Sequence, residues 1–310
     1  MITSLIWLPA SLFAGLFQAW RTAVQQRLRT ELTVSGASLV RYLYGLPVAV
    51  ALVEGYAMAR GPFSPRLDLT FLGLAGAGGL TQILATNLLI MAFGYRNFVV
   101  GTAFSKTEAV QAAIFARLAF GEHLSALALA GIGLGVAGVL ILALSAEKLA
   151  AREILRSLTQ PAALCGLGAG ALFAVTGLLV KRATVEVQLN DPVAAALVTL
   201  AVVMFLQIVM HGTYIAWREP TTLRDVFATW KISSQVGILA GLGSACWFTG
   251  FAAAPVALVR IVGQVEVIFT LGFARLYLRE KIRPNDALGL CLVTGGVMLS
   301  LLGGWVRTSL

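Results

Sequence analysis

Apolar and polar positions alternate along this chain on the scale of whole helices. Seven stretches contain no Asp, Glu, Lys or Arg: Met1–Trp20, Leu69–Tyr95, Leu124–Ser145, Pro161–Val180, Pro192–Trp217, Ile232–Val259 and Ala287–Val306. Each is near or above the roughly 20 residues that an α-helix needs to cross a bilayer. The apolar runs are continuous and lack period-two alternation, so strands are not expected. Charged or proline-marked breaks predict ten spans, at 3–27, 33–59, 68–94, 97–119, 124–145, 161–182, 190–217, 233–254, 256–278 and 286–306. Met1–Trp20 lacks a basic leading region, and the apolar pattern runs on into further spans. It reads as the first transmembrane helix rather than a cleavable signal. The expected fold is an all-α integral membrane protein of ten transmembrane helices.

Composition excludes a soluble reading. Of 310 residues, 58% are hydrophobic and 12% are charged, with a mean hydropathy of +0.87; a soluble domain carries about a quarter charged residues. The net charge of +9 lies mainly at helix ends. It therefore indicates topology signals and lipid-headgroup contacts, and no nucleic-acid partner. Cys165, Cys246 and Cys291 fall inside apolar helices without a CxxC pair, so they read as small buried side chains rather than disulfides or metal ligands. Residues 133–138, GLGVAG, match a dinucleotide fingerprint but sit inside an apolar helix, where small residues permit close helix packing within the monomer or across a dimer. No Walker A, HExxH or Ser/His/Asp set appears, so an enzyme, an ATP-driven pump, a metal site and a bound cofactor are not expected.

The two halves of the chain resemble each other. Laying Glu108 over Glu266 brings TEAVQAAIFARLAFGEHL over VEVIFTLGFARLYLREKI, with FARL in register and Glu122 over Glu280. SLFAGLF near the start similarly matches ALFAVTG after residue 170. A charged linker, 146–160, separates the halves. Five spans in each half is an odd number, so the halves lie in opposite orientations, with a substrate site expected near the midplane between them.

Ten spans, two five-helix repeats, and an acidic residue in the fourth helix of each half followed by L/F-x-x-x-E-x-L resemble the drug/metabolite transporter superfamily, in its EamA-type branch. The resemblance implies a first EamA-like repeat at 1–145, a second at 161–310, and transport by alternating access. The family pattern places proline just after the acidic position. Ala109 and Val267 stand there instead, which leaves helices four and nine without the usual kink.

The candidate chemistry lies in SKTEAV, residues 105–110. A charge at the bilayer centre costs about 2.5–3.5 kcal/mol on insertion scales, so it must pair, protonate or face water. Continuous helical spacing places Ser105, Glu108 and Gln111 on one face, and Lys106 on another. Span nine offers Glu266 on its acidic face and Arg260 with Gln264 on its basic or amide face. In one reading Glu108 and Glu266 carry protons or bind cations, since desolvation favours a neutral carboxyl, while Lys106, Arg260 and Arg41 bind an anionic group. In the other the charges are internal ion pairs, Glu108 with Arg260 or Arg41 and Glu266 with Lys106, that orient helices. Gln82, Asn87, Trp247 and Tyr42, with Gln18 and Gln207, are secondary substrate contacts or interhelical hydrogen bonds and lipid-facing aromatics. His211 is expected at the interface.

With both termini inside, as the resemblance implies, six basic residues would lie in inside loops and fourteen in outside loops; the positive-inside rule favours the opposite orientation. The function expected is a secondary transporter of the bacterial inner membrane for a small polar metabolite, amino-acid-like or organic-anion-like, using protons or a counter-substrate. An exporter of cationic or lipophilic drugs and a lipid scramblase are the alternatives. Monomer and homodimer both stay open.

Overall fold

The computed structural model describes residues 5–28, 31–94, 104–121, 124–146, 161–269 and 284–305. The greater part of the charged linker, 147–160, and the second FARL at 273–276 lie outside them. The described residues form helices joined by turns and short irregular connections, with no strand among them. In chain order the helices are α1 Trp7–Leu28, α2 Val34–Leu43, α3 Leu46–Arg60, α4 Leu69–Gly94, α5 Glu108–Phe120, α6 Ala126–Ala146, α7 Pro161–Glu186, α8 Pro192–Gln207, α9 Thr213–Arg218, α10 Pro220–Ala228, α11 Trp230–Ala253, α12 Val256–Gly263 and α13 Pro284–Trp305, with a π-helical turn at Ile208–Gly212 between α8 and α9. Five helical segments among the described residues are long and apolar enough to cross a membrane: Val34–Arg60, Leu69–Ala92, Pro161–Glu186, Pro192–Arg218 and Trp230–Ala253. Ala126–Ile141 and Cys291–Gly303 are shorter apolar helices.

The chain forms two compact units, Met1–Ile83 with Thr176–Ala254, and Leu84–Val175 with Pro255–Leu310. Each draws on both halves of the sequence.

In the first unit α11 packs against α1, α2 and α8. Helix ends are set by local chemistry. Thr33 caps α2 by accepting the Gly36 N–H at 3.1 Å. Asp191 caps α8 by accepting the Val193 N–H at 2.9 Å, with Pro192 at the first helical position. The second carboxylate oxygen of Asp191 accepts the Tyr56 hydroxyl at 2.6 Å, so one residue starts α8 and fastens it to α3. Between spans seven and eight the structure forms a helix, α10, where the sequence predicted only a connection.

In the second unit α6 lies along α13 on a small-residue face. A β-carbon on Gly131 would sit 2.5 Å from the Ser300 amide nitrogen and 2.6 Å from the Gly296 carbonyl, closer than atoms tolerate. Serines bridge the same face: Ser125 Oγ donates to the Gly303 carbonyl at 2.9 Å, and Ser300 Oγ donates to the Ala128 carbonyl at 3.3 Å. The glycines of spans five and ten therefore pack against each other within one chain, and GLGVAG is helical, without the strand that a dinucleotide site requires.

Candidate functional site

The segments predicted as spans four and nine are interrupted among the described residues, contrary to the expectation drawn from their missing prolines. The backbone forms a turn at Lys106–Thr107 and helix resumes at Glu108; it forms a turn at Gln264–Val265 and helix resumes at Glu266. The two breaks fall on matching positions of the alignment that lays Glu108 over Glu266. Thr107 has φ −69° and ψ −4°, and Gln264 has φ −66° and ψ −9°. A ψ near zero, rather than the α-helical value of about −42°, closes three-residue turns. Accordingly Thr107 N–H donates to the Phe104 carbonyl at 3.2 Å, Gln264 N–H to Ile261 at 3.1 Å and Val265 N–H to Val262 at 3.1 Å. In the first break Thr107 Oγ1 also donates to the Phe104 carbonyl at 2.6 Å, and Gln111 Nε2 donates to Thr107 Oγ1 at 2.9 Å. A side chain that bonds a backbone carbonyl three residues back offers the chain an alternative to the helical ladder.

The breaks undo the continuous-helix geometry that put Lys106 on a face of its own. Lys106 Nζ donates to Glu266 Oε2 at 2.6 Å, with side-chain exposures of 13% and 11%. Arg260 Nη1 lies 3.5 Å from both Glu108 carboxylate oxygens, with exposures of 8% and 9%. Arg260 Nη2 donates to the Phe173 carbonyl at 3.2 Å, and the guanidinium stands over the Phe173 ring, 5.9 Å from its centroid. Gln264 Nε2 donates to the Lys106 carbonyl at 2.8 Å, tying one break to the other. Ser105 is buried beside these groups, where a β-carbon on Gly170 would sit 2.9 Å from its carbonyl oxygen. All of these residues belong to the second unit, and the four charges cancel.

Chemically, the cluster offers a planar guanidinium suited to a carboxylate, an ammonium, and two carboxylates able to take a proton or an ammonium. Each charge is held in place by a partner that a ligand would have to replace. Phe173 and Thr107 were not singled out from the sequence. Thr107 carried a legible signal, a threonine directly preceding an acidic residue in an apolar run, which is a helix-start pattern. Phe173 acts through its backbone carbonyl, which no pattern marks.

Asn87 also lies in the second unit and is half-buried. The remaining candidates lie in the first unit. Arg41 is buried there. Tyr42 Oη and His211 Nδ1 are 2.8 Å apart. His211 is only 4% exposed and, in the π-helical turn, stands against Tyr42. Gln207 Nε2 lies 2.9 Å from Gln82 Oε1 and 3.2 Å from the Gly79 carbonyl. Trp247 Nε1 donates to Gln18 Oε1 at 3.0 Å and its ring stacks on Phe251 at 5.8 Å; it is buried rather than lipid-facing. The cysteines are less enclosed than expected, Cys165 and Cys246 half-buried and Cys291 exposed. Among the described residues no three His, Cys, Asp or Glu side chains converge as a metal site.

Residues 160–302 match the EamA-like transporter family. No curated protein matches the chain. Among solved structures, one described only as "Crystal structure of protein" is 17% identical with a TM-score of 0.72; the match covers 97% of this chain and 99% of that one, a likeness of fold. The resemblance read from the sequence is thereby shown over residues 160–302, which match the EamA-like transporter family of the drug/metabolite transporter superfamily.

Proposed function

We propose that this protein is a secondary active transporter that moves a small polar metabolite, amino-acid-like or organic-anion-like, across the bacterial inner membrane. In this reading ten helices form two inverted repeats that work by alternating access, coupled to protons or to a counter-substrate. The observation that carries it is the pair of buried ion pairs, Lys106 with Glu266 and Arg260 with Glu108, set at matching interruptions of spans four and nine. Irregular backbone at membrane depth is tolerated where it is buried in protein or lines a cavity, and broken helices bearing charge are a recurring feature of transporter sites. Arg260 is the group to receive a substrate carboxylate, and Glu108 and Glu266 are the groups to receive an ammonium or a proton. Because the four charges already cancel, a zwitterion can replace these pairs with its own without leaving a buried charge unmatched. Both carboxylates already face a fixed cation, which disfavours a site built for quaternary amines.

The test is untargeted metabolite profiling inside and outside cells that express the wild type or a Glu108→Gln, Glu266→Gln double variant at equal membrane levels. A zwitterionic or carboxylate compound class displaced by the wild type alone is the expected result. Displacement of quaternary amines alone, or lipid scrambling by the purified protein with no metabolite displaced, would overturn the reading.

A further inference from the structure

The connection between the segments predicted as spans seven and eight carries an exposed aromatic and basic surface. α10 is docked by one side. Thr222 and Val226 are buried against Gly36 of α2, where a β-carbon would sit 2.8 Å from Thr222 Cγ2 and 3.4 Å from Val226 Cγ2. The Tyr44 hydroxyl donates to the Val226 carbonyl at 3.2 Å. At its start Glu219 accepts hydrogen bonds from Thr33 Oγ1 at 3.2 Å, Ser35 Oγ at 3.0 Å and Thr222 Oγ1 at 3.2 Å. These bonds fix the helix on the end of α2, so its outward side is a defined surface.

That outward side is aromatic and basic together. Trp217 is 77% exposed, Phe227 59% and Trp230 56%. Arg218, Arg224 and Lys231 are exposed among them, with Asp225 the one exposed acid in the segment. The Arg218 guanidinium lies over the Trp217 ring, 4.9 Å from its centroid. Tryptophan is favoured at the headgroup level of a bilayer, where its ring is apolar and its N–H is wet. α10 itself exposes Phe227, and the aromatics at its two ends belong to α9 and α11; a short segment that carries exposed aromatics beside Lys and Arg is suited to the plane of that interface. Its length, on the order of 13 Å, is too short to span a membrane and joins two spans that do.

We propose that α10, with Trp217 and Trp230 at its ends, is an interfacial helix that rests in the headgroup layer and gathers anionic lipid through Arg218, Arg224 and Lys231. The anionic bilayer surface is favoured over a protein partner by charge complementarity and by position, since the same connection joins Pro192–Arg218 to Trp230–Ala253, both apolar enough to cross the membrane. Each Lys or Arg near an anionic surface is worth a factor of about five in association.

The full-length protein is tested in lipid nanodiscs by two measurements. A nitroxide on Phe227→Cys, in a background with Cys165, Cys246 and Cys291 changed to serine, reports contact with oxygen from the lipid phase and with a water-soluble nickel complex. The proposal expects ready relaxation by oxygen and protection from nickel. Free access of nickel would place the helix in water, and protection from both would indicate cover by a second copy or another protein; either overturns the interfacial placement. Spin-labelled phosphatidylglycerol and phosphatidylcholine then give the relative association of anionic and zwitterionic lipid. Arg218→Gln, Arg224→Gln, Lys231→Gln together are expected to lower the preference for phosphatidylglycerol roughly tenfold or more, while Arg60→Gln, Arg66→Gln, Arg182→Gln, an equal loss of charge elsewhere, lower it much less. Equal losses from the two triple variants would show that net charge alone sets the preference and would overturn the headgroup site.

Discussion

The break before Glu108 and the break before Glu266 share a backbone shape and differ in how they are fastened. The first is held from within its own span, by Thr107 on the Phe104 carbonyl and by Gln111 on Thr107. The second is held across spans, by Gln264 on the Lys106 carbonyl and by Lys106 on Glu266. The carboxylates differ likewise: Glu266 meets its cation at 2.6 Å, whereas Glu108 stands 3.5 Å from Arg260. A charge-assisted contact is ordinarily about 2.7–2.9 Å, so Glu108 is the more loosely held. The two aligned segments thus share the interruption and the carboxylate but not the cation. Lys106 lies over Gln264 in the repeat alignment, and Arg260 lies over Thr102. Two like backbones thus carry unlike partners, one carboxylate held close to its cation and one farther from it.

The largest expected effect is on the fixed pair. Lys106→Met leaves the Glu266 carboxylate buried beside lost charge, and breaking a buried pair from one side costs about 3–5 kcal/mol. The double variant Lys106→Met, Glu266→Met removes both charges and is expected to recover most of that loss. Thermal unfolding in detergent compares them. If the double variant is no more stable than the single one, the pair is not the fastening described here.

The second effect sharpens the difference between the pairs. A double-mutant cycle on Arg260 and Glu108 is expected to give a coupling near the lower end of the roughly 0.5–3 kcal/mol range for residues in contact, and the cycle on Lys106 and Glu266 one near its upper end. Equal couplings would remove the distinction between a closely held and a more loosely held carboxylate. In transport, Glu108→Gln should abolish or uncouple flux with the protein folded; pH-dependent flux equal to the wild type would eliminate Glu108 as a coupling group.

Much of this was legible in the sequence because membrane helices write themselves as long apolar runs, and because a charge in such a run must be answered by another. The pairing of Glu266 with Lys106 and of Glu108 with Arg260 was among the readings the residues left open. The breaks were not legible by the usual sign. Proline marks a kink by removing an amide donor, whereas at the first break Thr107 captures the Phe104 carbonyl of its own helix and Gln264 captures the Lys106 carbonyl from across; of the two, only the threonine before an acidic residue left a sign in the sequence. The burial of His211 was not legible either: position near the end of an apolar run suggested the interface, and the π-helical turn, which adds a residue to the local repeat, leaves no mark in the sequence. α10 was missed because nine residues with mixed charge between two spans have no apolar run to announce them.

The smallest effects separate the two fastenings themselves. Thr107→Val keeps the shape of the side chain and removes the hydroxyl that donates to Phe104 and accepts from Gln111, while Thr107→Ser retains it. Gln264→Met removes the donor to the Lys106 carbonyl and keeps the length of the side chain. A hydrogen bond of this kind contributes about 0.5–1.5 kcal/mol, so each loss is modest in unfolding. The sharper readout is the shape of the break. With a valine at 107 the competing bond is gone and the helical ladder is free to run through Lys106, which would turn Lys106 away from Glu266 and make the Thr107→Val effect depend on Glu266. Stability measured for Thr107→Val alone and combined with Lys106→Met, Glu266→Met tests that dependence. A cost that shrinks in the combined variant shows that the break serves to deliver Lys106 to its carboxylate; an unchanged cost shows that the hydroxyl serves its own turn only.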